Sequence, residues 1–294
     1  MRKGVMLAYP YEEKRLLTWH KPWLIQPKLD GDRMRAIFNN EGKVTLLSSE
    51  GHEKLFFPKI VSELESLHLK NVELDGEAYI HGLPHEEIHS IMGRSVNPSS
   101  ESDEMQFHIF DFVDNLRPNI IQMVRLKLLD TYLHSEVKRL IKVPYQFITE
   151  LDDVYKIFER FISEGYEGYI MRDSWAYYVR KRSTQMMKFK PKKEDTYLIT
   201  GFIEEVDKYG VPKNALGALE CASNDGSGST FRVGTGFTEE ERRLIWKGRF
   251  TINMKDAYAK VKYQNVGSRG GLRHSVFVEI VGKPSKNPNN YEVF

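Results

Sequence analysis

The sequence predicts an α+β protein in two domains, a larger one of antiparallel sheets with flanking helices over residues 1–191 and a small β domain over 192–294. Three observations lead there. Segments with helical apolar spacing are interleaved with short runs rich in branched and aromatic residues, without the strict strand–helix alternation of a doubly wound sheet. The texture changes after Lys190, where Pro191, Lys192, Lys193, Glu194 and Asp195 form a charged, proline-marked junction. The chain has 294 residues, 40% of them hydrophobic, enough to bury one large core or two modest ones.

In chain order, residues 1–14 are polar and broken by Pro10, with no apolar stretch of the kind a signal peptide or membrane span requires. A soluble, cytoplasmic protein is expected. The single cysteine, Cys221, excludes a disulfide framework and a four-cysteine zinc site, and fits a reducing compartment. Apolar spacing predicts helices over 60–69, 120–141 and 152–164, the last opened by Asp152 and Asp153. Strands are expected over 44–47, 72–80, 107–113 and 169–171. Beyond the junction, strands over 198–206, 217–222, 230–233, 259–264 and 276–281 with one helix over 239–247 have the size and texture of an OB-fold β-barrel. The Gly/Ser cluster at 224–229 is ordinary hairpin chemistry.

Several constellations stand out, each with a plainer explanation beside it. Lys28-Leu29-Asp30-Gly31-Asp32-Arg33 follows an apolar run and precedes another, so a simple hairpin accounts for it as well as a reactive lysine does. A lysine acts as a nucleophile only as the free amine, which burial or neighbouring cations favour; Arg33 or a metal supplies such a field. Asp30 would orient the amine if the segment stays extended. In residues 72–80 the alternation puts Glu73, Asp75, Glu77 and Tyr79 on one face, either a solvated acidic edge or carboxylates that hold a ribose hydroxyl or a metal. Phe107-His108-Ile109-Phe110-Asp111-Phe112 reads first as a core strand, with purine stacking on a ring as the functional alternative. Gly165 is explained as a helix cap, which leaves Glu167 at the mouth of the next strand unexplained. Formal net charge is only +2, but Arg180, Lys181, Arg182, Lys188, Lys190, Lys192 and Lys193 fall close together. Such a run is normally a solvated face; Lys188 and Lys190 flanking Phe189 in a strand would instead share a face suited to phosphate.

The order of these motifs says more than any one of them. Lys-x-Asp-Gly-x-Arg, Asp-Gly-Glu, Phe-Asp-Phe, Glu-Gly and Lys-x-Lys before a small β domain resemble the covalent nucleotidyltransferase superfamily of DNA ligases, RNA ligases and mRNA-capping guanylyltransferases. The segments at 178–190, 198–202, 217–219, 234–238 and 271–274 with Phe277-Val278 are similar to compact ATP-dependent DNA ligases of phages and bacteria. The resemblance covers nearly the whole chain. It implies that Lys28 attacks the α-phosphorus of ATP, with Asp30 and Arg33 completing the catalytic set. It further implies nucleotide contacts from Gln26, Arg33, Glu77, Phe110, Glu167, Lys188 and Lys190, with Glu77 and Glu167 holding Mg²⁺, or Mn²⁺ in its place. Arg180, Lys181, Arg182, Lys192 and Arg273 would meet nicked duplex DNA, the protein acting as a monomer away from membranes.

Two departures accompany the resemblance. The family often carries Ser-Arg-x-Gly where this chain has Ser48-Ser49-Glu50-Gly51, and a basic residue where Val281 stands. Lys283 is the candidate substitute for the latter, so Lys283→Ala should slow self-adenylation more than sealing of pre-adenylated DNA. An RNA ligase or capping guanylyltransferase of the same superfamily, or a catalytically silent OB-fold nucleic-acid binder, are the alternative readings; an NAD-dependent ligase lacks room and cysteines here.

Overall fold

The structure, a computed structural model, describes residues 4–133, 137–250, 257–263, 265–266, 271–273 and 275–282. The chain divides into two compact units, Met1–Lys190 and Pro191–Phe294.

The first unit runs β1 (Leu7–Pro10), α1 (Glu13–Leu16), β2 (Trp23–Lys28), β3 (Asp32–Phe38), β4 (Val44–Ser48), α2 (Pro58–Glu65), β5 (Val72–Tyr79) and α3 (His85–Met92). It continues with β6 (Gln106–Asp114), α4 (Gln122–Tyr132), β7 (Leu140–Lys142), β8 (Gln146–Ile148), α5 (Leu151–Ser163), β9 (Gly168–Asp173) and β10 (Arg182–Phe189). The strands make two five-stranded sheets, ordered β1-β10-β9-β2-β8 and β4-β3-β5-β6-β7. Most pairs are antiparallel, but β1 with β10 and β6 with β7 are parallel, so both sheets are mixed.

Alternation decides what each sheet face does. Trp23 and Ile25 of β2, Met171 of β9 and Met187 of β10 pack under Val154, Ile157 and Phe161 of α5. On the second sheet, Met34, Ala36, Leu74, Phe107, Ile109 and Phe112 pack with Ile60 and Leu64 of α2, Ile88 and Met92 of α3, and Leu126 and Leu129 of α4. Each large apolar side chain buried in this way stabilises the unit by roughly 1.5–3 kcal/mol. The helices thus cover the outer faces, and the inner faces meet across a polar cleft.

Two sequence expectations change here. The helix expected over 120–141 ends at Tyr132, and Leu140–Lys142 is a strand beside β6. Apolar residues recur through the whole stretch, but 139–143 bond to the sheet: Phe107 N–H donates to the Arg139 carbonyl at 2.7 Å and Val143 N–H to the Ile109 carbonyl at 2.9 Å. The acidic strand β5 is no solvated edge, since it is paired on both sides, by β3 and β6, and Glu73 and Asp75 are buried.

The second unit contains β11 (Lys193–Val206), β12 (Pro212–Ala222), β13 (Thr230–Val233), α6 (Glu239–Gly248), β14 (Tyr258–Tyr263), β15 (Asn265–Val266), β16 (Leu272–Arg273) and β17 (Val276–Val281). Five of the strands form one sheet, β13-β12-β11-β14-β17, around a core that includes Tyr197, Ile199, Leu219, Phe231, Val261 and Phe277. Among the described residues the expected barrel does not close, because its end strands β13 and β17 are not paired with each other. They approach where Phe277 N–H donates to the Thr235 carbonyl at 2.8 Å and the Phe237 and Phe277 rings stack. Val281 is fully buried in β17, an apolar position that a basic residue would not tolerate without a partner. Lys283 and His274 lie outside the described residues.

Candidate active site

The cleft between the sheets is built on the second face of β2. With Trp23 and Ile25 committed to the outer core, Leu24, Gln26 and Lys28 point inward, and register pairs them with Arg172, Ile170 and Gly168 of β9. The next strand, β10, brings Lys188 opposite Ile170 on the same face. From the other sheet, Arg33 stands opposite Glu77, and Arg35 opposite Asp75.

Lys28 Nζ makes an ion pair with Glu167 and donates to the Leu29 carbonyl at 3.3 Å. Glu167 also accepts from Lys190 Nζ at 2.5 Å, and its own backbone N–H donates to the Lys28 carbonyl at 3.1 Å. One carboxylate therefore bridges two ammonium groups. Burial raises its pKa, but Lys28 and Lys190 outweigh burial and hold it below the ordinary glutamate value. The close approach of strands here requires glycine: a Cβ on Gly168 would lie 2.1 Å from the Phe189 carbonyl oxygen, and one on Gly31 would lie 2.3 Å from that of Ala78. Gly165, at φ +87, caps α5 as expected.

Glu77 faces this pair from the second sheet. Removal from water pushes its carboxyl up to about 7, against the opposing pull of Lys28 and Arg33 and with help from Glu167 and Asp32. Arg33 is gripped by Asp75, Nε to Oδ1 at 2.6 Å and Nη2 to Oδ2, and it donates to the Met6 carbonyl at 3.3 Å. Its guanidinium lies 4.7 Å from the centroid of the Phe110 ring, and that of Arg172 lies 5.1 Å away. A register shift opposite Asp75 and Gly76 lets β6 turn both Phe110 and Asp111 toward the cleft.

Most of the residues singled out from sequence are gathered here: Gln26, Lys28, Arg33, Glu77, Phe110, Glu167, Lys188 and Lys190. Asp30 lies beyond β2, whose last residue is Lys28. Arg180, Lys181 and Arg182 are all exposed; Arg180 also bonds Glu73 at 2.8 Å and the Gly4 carbonyl at 2.7 Å, and Arg182 donates to the Ala8 carbonyl and lies over the Tyr9 ring. Lys192 is exposed on the second unit. Arg273 sits on β16, opposite Asn265. Ser49 lies in a turn closed by Ser48, whose Oγ accepts from the backbone N–H of Glu50 and His52, both at 3.2 Å.

Sequence reading missed the floor of the cleft. Asp111 is buried between Arg125, at 2.7 Å, and Arg172, at 3.0 Å, and Gln122 accepts from Arg125 at 2.6 Å. Two buried polar atoms beside Phe110 have no hydrogen-bond partner among the described residues: Gln26 Oε1 and Arg172 Nε. The signal was present, in single polar residues within otherwise apolar strands, but a strand alone does not show what lies across from it.

Two mixed sheets meeting across a cleft that holds a lysine between carboxylates, followed by an OB-like unit, put the chain in the nucleotidyltransferase class. Residues 5–190 match the family model described as the ATP dependent DNA ligase domain, and residues 209–280 match the DNA ligase OB-like domain. The chain belongs to the ATP-dependent DNA ligase family. It is 28% identical over 191 residues to a DNA ligase of African swine fever virus (a Kenyan pig isolate), covering 62% of this chain and 44% of that protein. A Haemophilus influenzae DNA ligase is 23% identical over 239 residues, 81% of this chain and 80% of that one. The chain thus spans less than half the length of the viral relative. Among solved structures, one from a study of DNA binding with a minimal scaffold by Lig E DNA ligases superposes with a TM-score of 0.70 at 20% identity, covering 95% of this chain and all of that one, which shows a shared fold.

Proposed function

We propose that this chain seals nicks in duplex DNA at the expense of ATP, with Lys28 as the covalent nucleotide carrier. The observation that carries the reading is the Lys28–Glu167–Lys190 bridge facing Glu77 across the cleft. An ammonium paired with a carboxylate is not a nucleophile; Lys28 becomes one on releasing a proton to solvent, which a cation held by Glu167 in its place would favour. The Nζ lone pair then attacks the α-phosphorus of ATP, the bond to the bridging oxygen breaks, and pyrophosphate leaves. Lys188 and Lys190 neutralise phosphate charge along that path. In the next steps AMP passes from Lys28 to the 5′-phosphate of the nick, and the 3′-hydroxyl attacks that phosphate and expels AMP.

Adenine is the base expected at the cleft floor, where Gln26 donates through Nε2 to the Phe110 carbonyl at 3.5 Å and where Gln26 Oε1 and Arg172 Nε, both buried, have no hydrogen-bond partner among the described residues. Phe110 supplies the stacking face.

The donor set also suits Mg²⁺. Glu77 and Glu167 are hard oxygen donors, and among the described residues no group of three or more His, Cys, Asp or Glu forms a ready-made cage. Mg²⁺ characteristically takes one or two carboxylates together with substrate phosphates, so two facing carboxylates fit it. Bound there it would neutralise triphosphate charge.

Duplex DNA with a single 5′-phosphate nick tests the reading. Sealing is expected with ATP and Mg²⁺, with neither GTP nor NAD replacing ATP, and with no product from a 5′-hydroxyl nick. Sealing by GTP, or none with any nucleotide, would contradict it.

A further inference from the structure

Asp75 is fully buried between the sheets and accepts three hydrogen bonds: two from Arg33 and one from the Tyr178 hydroxyl at 2.6 Å. That hydroxyl accepts in turn from the Met6 backbone N–H at 3.1 Å. A phenol has one proton to give, and here it goes to Asp75 while a lone pair takes the Met6 N–H, so both roles are assigned. The ring is fixed as well. It packs with Met6, Ala8, Val113 and Met186, and the guanidinium groups of Arg125 and Arg180 lie 5.7 Å and 5.6 Å from its centroid. Burial and the neighbouring carboxylates of Asp75 and Glu73 hold the phenol far above its ordinary value, so it remains a donor.

We infer that Tyr178 is a positioning residue for the reaction: by fixing the Asp75 carboxylate it sets the angle at which the Arg33 guanidinium meets the nucleotide or the nick phosphate. The inference rests on the reading of Arg33 as a substrate-contacting group. Arg33 has three supports, Asp75, the Met6 carbonyl and the Phe110 ring, and Tyr178 and its neighbour Met6 fix two of them. Without the hydroxyl, Asp75 keeps its two bonds from Arg33 but loses the third, which ties it to the Met6 and Tyr178 side of the site. A bond to a charged acceptor lost in this way corresponds to about a tenfold effect on whatever the carboxylate orients.

The test is a double-mutant cycle on the full chain, with Tyr178→Phe, Arg33→Ala and the double variant. Single-turnover rates are measured separately for adenylation of Lys28 and for sealing of pre-adenylated nicks. The expected result is that Tyr178→Phe loses about tenfold in the step where Arg33→Ala loses most, and that the double variant is no slower there than Arg33→Ala. A merely structural tyrosine would slow both steps alike and its loss would multiply with that of Arg33; either finding overturns the proposal, as does wild-type speed for Tyr178→Phe where Arg33→Ala is slow. Wild-type rates for Arg33→Ala itself would overturn the reading of Arg33 beneath it. Should the phenylalanine variant fail to fold, Asp75→Asn goes through the same cycle under the same criteria.

Discussion

At the residue scale, the cleft works by balancing charges that cannot all be satisfied at once. Glu167 serves two lysines, and Glu77 faces them with a carboxyl raised to about 7. Between pH 4.5 and 7 the folded chain therefore keeps a proton that the unfolded chain has released. The stability this contributes is complete below pH 4.5 and is lost as pH rises through 7. Glu77→Gln, neutral at every pH, removes that dependence. Denaturant melts at pH 5 and pH 8 should show a smaller decline for the variant than for the wild type, and equal declines would contradict the assignment. Glu167→Gln acts differently, leaving two ammonium groups face to face. It is expected to cut Lys28 adenylation by about 100-fold, as removal of a catalytic electrostatic partner does, measured in single turnover; a loss below about threefold would remove Glu167 from the site.

At the element scale, close approach and capping decide which sequence features were legible. The strands β13 and β17 and the helix α6 were expected from sequence at nearly their observed spans, branched and aromatic runs being local signals. In α6 the capping box is formed, Glu241 N–H donating to Thr238 Oγ1 at 3.2 Å and Thr238 N–H to Glu241 Oε2 at 2.7 Å. Thr238→Ala should cost about 1 kcal/mol in chemical denaturation, and an unchanged midpoint would mean that the helix is held wholly by Arg242, which bonds the carbonyls of Leu216, Gly217 and Gly234. By contrast, β1 and α3 were not foreseen. The first is four residues long and exists only because β10 lies beside it, and the second carries Ile88, Ile91 and Met92 in a stretch otherwise crowded with His and Glu. Gly168 was noticed only as part of Glu-Gly; its reason is the Phe189 carbonyl. Gly168→Ala should destabilise the unit by about 1–3 kcal/mol by forcing β9 from β10, read as a shift in the denaturation midpoint. The facing of one sheet's charges by the other's, which makes Asp75, Asp111 and Tyr178 part of the cleft, depends on contacts between residues more than sixty positions apart and has no local signature.

At the scale of the whole molecule, a net charge of +2 conceals an uneven distribution. Arg35, Arg33 and Arg125 are matched by Glu73, Asp75 and Asp111, while Arg180, Lys181 and Arg182 are exposed, Arg180 bound to Glu73 and Arg182 to the Ala8 carbonyl. Binding to nicked DNA should weaken steeply with salt, and Lys181→Ala or Arg182→Ala should each reduce the log–log slope by about 0.9 if each meets one phosphate. Arg180→Ala should leave the slope unchanged and lower thermal stability instead; the reverse pattern would redraw the interface. No helix among the described residues is long and apolar enough to cross a membrane. The central claim is chemical, that Lys28 carries AMP, and it is tested most directly by incubating the protein with ATP labelled at the α-phosphate and Mg²⁺, beside Lys28→Ala, and resolving the products under denaturing conditions. Label that stays with the wild-type chain and is absent from the variant is the predicted result; label on both, or on neither once bound AMP has first been discharged with pyrophosphate, would contradict it.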